Sequence, residues 1–168
     1  MDVVTITRAL LLRELDTFAR EVEAFPSDDL VWQTVPGVTN SAGHLAQHVA
    51  GNLQHFVGAL LGGSGYVRQR EAEFSSPLRT RAELVTELRR AAAAVETTFA
   101  GRSLGDFPAV YPADLAGSRL PTSLFLAQLE AHLAFHLGQA GYLRRMLTGD
   151  NAPSGALALK ELSGFNVG

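Results

Sequence analysis

Four segments with the apolar periodicity of an amphipathic helix constrain the fold of this chain more than any other feature. The first covers residues 4–25, where apolar residues recur at spacings of three, four and seven until Pro26 ends the pattern. The second covers about residues 40–61, and either Asn40 or Ser41 is suited to cap its N-terminus. Both segments are long enough for a helix of roughly five to six turns.

The other two segments have clearer signals at their ends. The third begins at Thr80, which forms the pattern of a capping box with Glu83, and Gly101 closes it. The fourth covers residues 122–147 and is followed by Gly149, the residue type that most often terminates a helix.

These four segments predict an all-α fold, a four-helix bundle built by a single domain over residues 1–168. The predicted connections are residues 27–39, 62–79 and 102–120, which are long for a minimal bundle and rich in Gly, Pro and Ser. In the last of them we expect short extended pieces around residues 109–111.

The composition limits the chemistry that the chain can perform. Its 168 residues include no cysteine, so thiolate ligands and a cysteine nucleophile are excluded, and a metal site must use His, Asp or Glu. The net charge is -3 without any long run of like charge, so we expect no nucleic-acid partner. Neither a signal peptide nor a membrane span is recognisable, so we expect a cytoplasmic protein without a membrane partner.

All five histidines fall in the second and fourth predicted helices. His132 and His136 belong to the sequence HLAFH of the fourth helix, and a helical wheel places both in the middle of its apolar stripe. Two imidazoles buried there would be costly without partners for their nitrogens. Because residues four apart on a helix bring their side chains together, the pair is suited to bind one metal ion.

The second helix contains His44, His48 and His55 at the flank of its apolar arc. His48 lies nearest to this arc, but the wheel alone does not decide between His48 and its neighbours. A single histidine on an apolar face is most often a hydrogen-bonded core residue, and it is the pair on the fourth helix that favours a metal site. For His44 and His55 we expect a structural position, at the edge of a pocket or facing solvent.

The segments that contain the histidines resemble a known superfamily. They are VWQTVPGVTNSAGHLAQHVAGNLQHFVG, residues 31–58, and HLAFHLGQAGYLRRML, residues 132–147. They resemble the DinB-like (YfiT-like) superfamily of metal-dependent enzymes, and most strongly a branch with an NS-x-G-x-L-x-x-H-x-x-GN segment and a later H-x-x-x-H-x-GQ. In length and helix order the resemblance covers the whole chain. It implies a four-helix bundle and a homodimer.

The resemblance also implies the metal ligands. Carried over to this sequence, they are His48, His132 and His136, and the ion is a divalent metal, nickel or zinc. Some relatives are transferases or isomerases that use a low-molecular-weight thiol. A thiol of this kind is therefore an implied cofactor, and a small molecule is the implied substrate.

Three imidazoles leave at least one coordination position open, as in catalytic rather than structural zinc sites. We therefore expect a metal-dependent enzyme, a thiol S-transferase or a hydrolase of a small molecule, with a non-catalytic metal-binding or stress-response binding module as the alternative. HLAFH lacks the Glu of an H-E-x-x-H helix, so no catalytic residue can be named. Asn52 and Gln139 are candidates for hydrogen bonds to the ligands or the substrate, with a capping or surface position as the alternative. Trp32 and Tyr142 are candidates for the mouth of a pocket, although packing is the role that the sequence favours for both.

Overall fold

A computed structural model describes residues 2–75, 79–114, 117–155 and 159–165, and it confirms the all-α prediction. The helices are α1 (Val3–Glu23), α2 (Ala42–Leu53), the short α3 (Ala72–Ser75), α4 (Arg81–Phe99) and α5 (Thr122–Thr148). Three 3-10 helices are Leu30–Trp32, Leu104–Asp106 and Leu159–Phe165. The sequence did not predict α3, which is a single turn.

The ends of the long helices follow the predicted capping signals. Ser41 is the residue that caps α2, because its hydroxyl accepts a hydrogen bond from the backbone N–H of His44. Thr80 and Glu83 form the predicted capping box at the start of α4. Gly149 follows α5 with a φ of 70°, a left-handed conformation that glycine adopts without strain.

Helix α2 does not end at Leu53 but continues as a π-helix over Gln54–Ala59. The hydroxyl of Tyr111 donates a hydrogen bond of 2.5 Å to the carbonyl oxygen of Phe56 in this turn. Tyr111 comes from the connection where extended pieces were expected, and its neighbour Val110 forms an isolated antiparallel bridge with Pro121. A wider helical turn of this kind is not visible in a pattern of apolar residues, because it changes the period over only a few positions.

Contacts between the helices define their directions. Arg8 of α1 pairs with Glu96 of α4, while Glu23 at the other end of α1 lies near Arg89, so α1 and α4 are antiparallel. Trp32, which packs at the start of α2, donates a hydrogen bond to the carbonyl oxygen of Arg79 just before α4.

The starts of α2 and α4 therefore lie at the same end of the bundle, and the two helices run in the same direction. The chain between them must therefore return along the bundle from the end of α2 to the start of α4. This return explains why the second connection is long.

Apolar side chains from all four long helices form the core. Among those with almost no exposure are Leu11, Phe18, Val49, Leu53, Leu88, Val95, Leu126 and Leu133. Removing this surface from water is the main contribution to the stability of such a bundle. Among the helices of the described ranges, none has the length and hydropathy that a membrane span requires.

A buried ion pair joins α1 to α5. The Nε atom of Arg144 donates to Glu21 at 2.5 Å, and the two side chains are 1% and 2% exposed. Arg144 also donates to the carbonyl oxygen of Ala152, and the hydroxyl of Ser154 donates to Glu21. The pair therefore holds the segment that follows α5 against both helices.

We expect the substitution Arg144→Ala to lower the free energy of unfolding by about 3–5 kcal/mol, because it leaves the carboxylate of Glu21 buried without its partner. Urea unfolding followed by circular dichroism would measure the change. The control is Arg89→Ala, since the side chain of Arg89 is 73% exposed and lies 3.5 Å from Glu23. That variant should lose less than about 1 kcal/mol. Equal losses in both variants would contradict the structural role given to the buried pair.

Candidate metal centre

Three imidazoles meet where α2 packs against α5. The Nε2 atom of His132 lies 3.2 Å from Nε2 of His48 and 3.1 Å from Nε2 of His136. One ligand atom from each of the three residues lies within 4.8 Å of the others. A single ion can therefore reach all three side chains.

The helical wheel placed the histidines of α5 in the middle of its buried stripe. The structure places them at the edge of this stripe. His132 and His136 are half-buried, whereas Leu133 and Leu137, beside them in the sequence, are almost fully buried. The wheel was wrong because it took Phe125 and Leu143 as the centre of the stripe. In the structure, the centre of the stripe lies closer to Leu133. The edge position leaves one side of the cluster open.

The distances between the nitrogens suit a metal ion. In tetrahedral zinc sites with Zn–N bonds of about 2.0–2.1 Å, neighbouring nitrogens are separated by roughly 3.3 Å. The separations of 3.1 and 3.2 Å around His132 are close to this value. Three nitrogen donors at the open edge of a bundle can thus hold a divalent ion with a position free for another ligand.

Glu73 orients His48 from outside the cluster. Its carboxylate lies 2.9 Å from Nδ1 of His48, and it accepts two hydrogen bonds of 2.6 and 2.7 Å from Arg68. Burial raises the pKa of Glu73, but the hydrogen bonds from Arg68 and His48 outweigh it and hold the pKa below its ordinary value. An ionised Glu73 assigns the proton of His48 to Nδ1, and Nε2 then presents its lone pair to the cluster.

Gly51 makes this contact possible. A Cβ atom at position 51 would lie 2.3 Å from Oε1 of Glu73, so any larger residue would push the carboxylate away. Gln47, one turn earlier in α2, donates a hydrogen bond to the carbonyl oxygen of Glu73. The returning connection between α2 and α4 is therefore fixed to α2 beside His48.

Gln139 plays the corresponding part for His136. Its Oε1 atom lies 2.8 Å from Nδ1 of His136, which assigns the proton to Nδ1 and leaves Nε2 free. The same arrangement, with a hydrogen bond on the outer nitrogen, fixes the tautomer and the ring of most metal-binding histidines. Gln139 therefore occupies the position, beside the outer nitrogen of His136, from which a side chain can support a metal-binding histidine.

Burial and neighbouring groups keep the histidines of α5 neutral. Burial first, and then the charges of His136, His48 and Arg68, lower the pKa of His132 to about 4. Burial also lowers the pKa of His136, against the opposing effect of Gln139. At neutral pH both imidazoles are unprotonated and can donate a lone pair to a metal.

The two other histidines lie outside the cluster. His44 completes the N-terminal cap of α2 through Nδ1, 3.2 Å from the backbone nitrogen of Ser41, and its ring packs against Trp32. His55 lies in the π-helix with its ring against Phe56. Both residues therefore make local contacts in and beside α2, and neither lines the cavity next to the cluster.

Asn52 is more than nine-tenths buried one turn after His48, and within the described structure its Oδ1 atom has no hydrogen-bond partner. Such a group is costly to leave unpaired, so a bound water or ligand is expected there. Trp32 does not line a cavity beside the cluster. Its ring packs directly on Gly43, and its indole N–H donates to the carbonyl oxygen of Arg79.

A cavity of about 610 Å³ adjoins the cluster at His136. Tyr142 lies at its rim and is 72% exposed, so it is positioned as a residue of the mouth, whereas the sequence favoured a packing role for it. Gln139 also lines this cavity.

Glu73 and Arg68 are the residues of the centre that the sequence did not reveal. Both belong to the connection between α2 and α4, Arg68 to its irregular part and Glu73 to the single turn α3, where no periodicity indicates which side chains turn inward. The excess length of this connection and the glycine at position 51 are the two signals that point to them. Neither signal identifies Glu73 and Arg68 unless it is also known that α2 and α4 run in the same direction.

A helical bundle with histidines of its second and last long helices gathered at one edge defines a protein of the DinB/YfiT-like metal-dependent superfamily, as the resemblance implied. The model of the mycothiol-S-transferase family matches residues 7–149, and the chain belongs to this family. Comparisons with curated proteins and with solved structures gave no significant match.

We expect Glu73→Gln to weaken binding of a divalent ion about 10–100-fold, because His48 loses a charged acceptor and Arg68 loses its partner. Competition with a chelating dye on the metal-loaded protein would measure the affinity. Glu96→Gln is the control, since Glu96 forms its ion pair with Arg8 between α1 and α4, whereas the cluster lies between α2 and α5. An unchanged affinity in Glu73→Gln would show that Glu73 does not support the centre.

Proposed function

We propose that this protein is a metal-dependent thiol S-transferase in which His48, His132 and His136 bind one divalent ion and mycothiol is the thiol substrate. The convergence of the three Nε2 atoms at an open edge is the observation that carries the proposal. The match to the mycothiol-S-transferase family supports the reaction class and the thiol.

A divalent ion at this position would lower the pKa of a coordinated thiol, so that the sulphur is a nucleophilic thiolate near neutral pH. Zinc and nickel both suit imidazole ligands, and we propose one of these two as the native metal. The chain itself contributes three neutral nitrogens in fixed positions. Glu73 and Gln139 hold the outer nitrogens of His48 and His136, so that the rings need no rearrangement when the ion binds.

Thiol transfer fits the centre better than hydrolysis. Hydrolysis of a small molecule calls for a general base beside the attacking water. Glu73 is the carboxylate of this centre, and it is held by two hydrogen bonds from Arg68 and by His48. A thiol that already binds the ion as a thiolate needs no such base. The unpaired Oδ1 of Asn52, close to His48 in α2, is suited to accept a hydrogen bond from the bound thiol substrate.

The assignment of the ligands predicts the metal content of five single variants. His48→Ala, His132→Ala and His136→Ala should each lose most of the bound metal, because two imidazoles cannot easily hold the ion against water. They should also lose the formation of S-conjugates from mycothiol and an electrophile. Elemental analysis of the purified proteins and product detection by mass spectrometry would measure both effects.

His44→Ala and His55→Ala are the matched controls and should retain about one metal ion per chain. Loss of metal in His44→Ala with retention in His48→Ala would contradict the ligand assignment. Retention of metal in all five variants would place the site elsewhere. Full occupancy of the site without any S-conjugate would contradict the transferase activity while leaving the metal centre intact.

We further propose that the protein forms a homodimer through the exposed face of α5. Leu124, Phe135, Tyr142 and Met146 are 55%, 62%, 72% and 64% exposed, and their spacing places them within roughly 40° on the helix. The exposed positions of α5 between residues 124 and 146 carry no charged side chain. An uncharged apolar face of this length is unusual for a surface open to water.

The face is complementary to itself when two copies pair in opposite directions about Phe135. Leu124 then faces the partner's Met146, because both lie eleven residues from Phe135. By the same count Gln128 faces the partner's Tyr142. Both pairs recur on the other side of the two-fold axis, as in an isologous interface.

Leu124→Glu should raise the dissociation constant of the dimer at least about tenfold, because it places a carboxylate twice in an apolar interface. Light scattering over a concentration series would measure it. The control is Val67→Glu, since Val67 is 73% exposed in the connection between α2 and α4. A wild-type protein that stays monomeric at micromolar concentration would contradict the proposed dimer.

We place the proposed reaction in the cytoplasm, where low-molecular-weight thiols are kept reduced. The absence of cysteine from the chain is compatible with that setting.

A further inference from the structure

The cavity of about 610 Å³ beside the metal centre has the size of a small-molecule site. One wall is the loop of residues 37–40 with Leu45 at the start of α2, and the other is the C-terminal half of α5. His136 and Gln139 belong both to the cavity and to the metal centre. A molecule in this cavity would therefore lie directly beside one of the proposed metal ligands.

The walls of this cavity are uncharged. Apolar side chains face it from both sides, namely Val38, Leu45, Leu143 and Met146, and its polar groups are amides, hydroxyls and the imidazole of His136. No Asp, Glu, Lys or Arg of the described ranges lines it. Four smaller cavities of the described chain are each lined by three or more charged side chains.

The uncharged walls decide which molecules are favoured. A carboxylate that enters the cavity gives up its hydration without meeting an arginine or lysine, and an ammonium group meets no carboxylate. The ion proposed beside His136 is positive, and a bound thiolate neutralises part of its charge. An apolar group, in contrast, is stabilised by leaving water for a surface of Val, Leu and Met side chains. The cavity therefore favours a neutral apolar molecule.

We propose that this cavity binds the electrophilic substrate of the S-transfer reaction, and that it selects uncharged apolar electrophiles over carboxylates. The inference rests on the proposed thiol S-transferase activity and adds its substrate class. With a benzylic chloride, the thiol sulphur forms a bond to the benzylic carbon and the carbon–chlorine bond breaks. Chloride leaves with the bonding electrons, and the thiol proton passes to the buffer.

The apolar walls suit the electrophile better than the thiol. The sugar part of mycothiol is rich in hydroxyl groups, each of which would need a hydrogen-bond partner once buried. The amides of Asn40 and Gln139 and the hydroxyls of Thr39 and Tyr142 can supply only some of these partners, and the apolar side chains of the walls supply none. The carbon skeleton of an aromatic or aliphatic electrophile needs none.

A pair of benzylic chlorides of similar size tests the selection. They are para-nitrobenzyl chloride, which is neutral, and para-(chloromethyl)benzoate, which is an anion at neutral pH. With mycothiol and the metal-loaded protein, kcat/KM should be at least about tenfold higher for the neutral compound after correction for the uncatalysed rates. An equal or higher kcat/KM for the anion would overturn the inference.

A charge placed in the wall should change this preference. Val38 is 40% exposed, so Val38→Arg can place a guanidinium at the cavity without burying it in the core. This variant should lower kcat/KM for the neutral compound and raise it for the anion. Val110→Arg is the matched control, because Val110 is 42% exposed and does not line the cavity. A preference that changes equally in both variants would overturn the assignment of the cavity.

Binding without turnover separates this inference from the proposed activity. The alcohols para-nitrobenzyl alcohol and para-(hydroxymethyl)benzoate cannot react, and calorimetry on the metal-loaded protein with saturating mycothiol measures their affinities. Tighter binding of the neutral alcohol in the wild type, weakened by Val38→Arg, supports the cavity even if no electrophile is turned over. In that case the proposed transferase activity fails alone. Competition of the neutral alcohol with mycothiol, and not with the electrophile, would assign the cavity to the thiol and overturn the inference.

Discussion

The meeting of three imidazole nitrogens at one point is the constraint on which the arrangement of this protein depends. Nε2 of His132 lies 3.2 and 3.1 Å from the Nε2 atoms of His48 and His136, and a neutral His132 can donate a hydrogen bond to at most one of them. Burial makes it costly to add further protons to the rings. Glu73 and Gln139 nevertheless fix the rings of His48 and His136 with their lone pairs turned inward. Imidazole nitrogens gathered in this way, with their rings fixed from outside, are an arrangement that can hold a divalent ion.

The direction of the helices explains how Glu73 reaches this centre. Because α2 and α4 run the same way, the chain between them must return along the bundle, and this return passes beside His48. Gly51 gives Glu73 the space to approach, and Arg68 neutralises its charge where it is buried. The long connection is thus part of the candidate metal centre as well as a link between two helices. Its excess length reflects both the topology of the bundle and the need for an acidic partner to His48.

The long helices could be predicted from the sequence because their determinants are local. The periodicity of apolar residues, the cap at Ser41 and the capping box at Thr80 each act within a few residues of the helix that they define. The convergence of His132 and His136 is local for the same reason. Their assignment with His48 as metal ligands stays a prediction, which the geometry supports.

What the sequence did not predict depends on distant contacts. The π-helix after Leu53 is tied to Tyr111, more than fifty residues away. The pairing of Glu73 with His48 spans 25 residues, of which residues 60–71 are not helical. The position of His132 at the edge of the buried stripe depends on where α2 and α1 contact α5. A wheel of α5 alone cannot give that position, because it ranks the faces of a helix without knowing which neighbours cover them.

The edge position of the α5 histidines also links the centre to the two surfaces proposed around it. On one side of His136 lies the uncharged cavity, and beyond its rim the exposed face of α5 continues through Tyr142 and Met146. These two side chains belong to both surfaces. In a dimer that pairs α5 about Phe135, the partner's Leu124 and the partner's Gln128 would lie over the same rim. The partner would then shield an apolar electrophile from water on the side that the bundle itself leaves open. A thiolate beside a metal attacks carbon more readily when fewer water molecules solvate its sulphur.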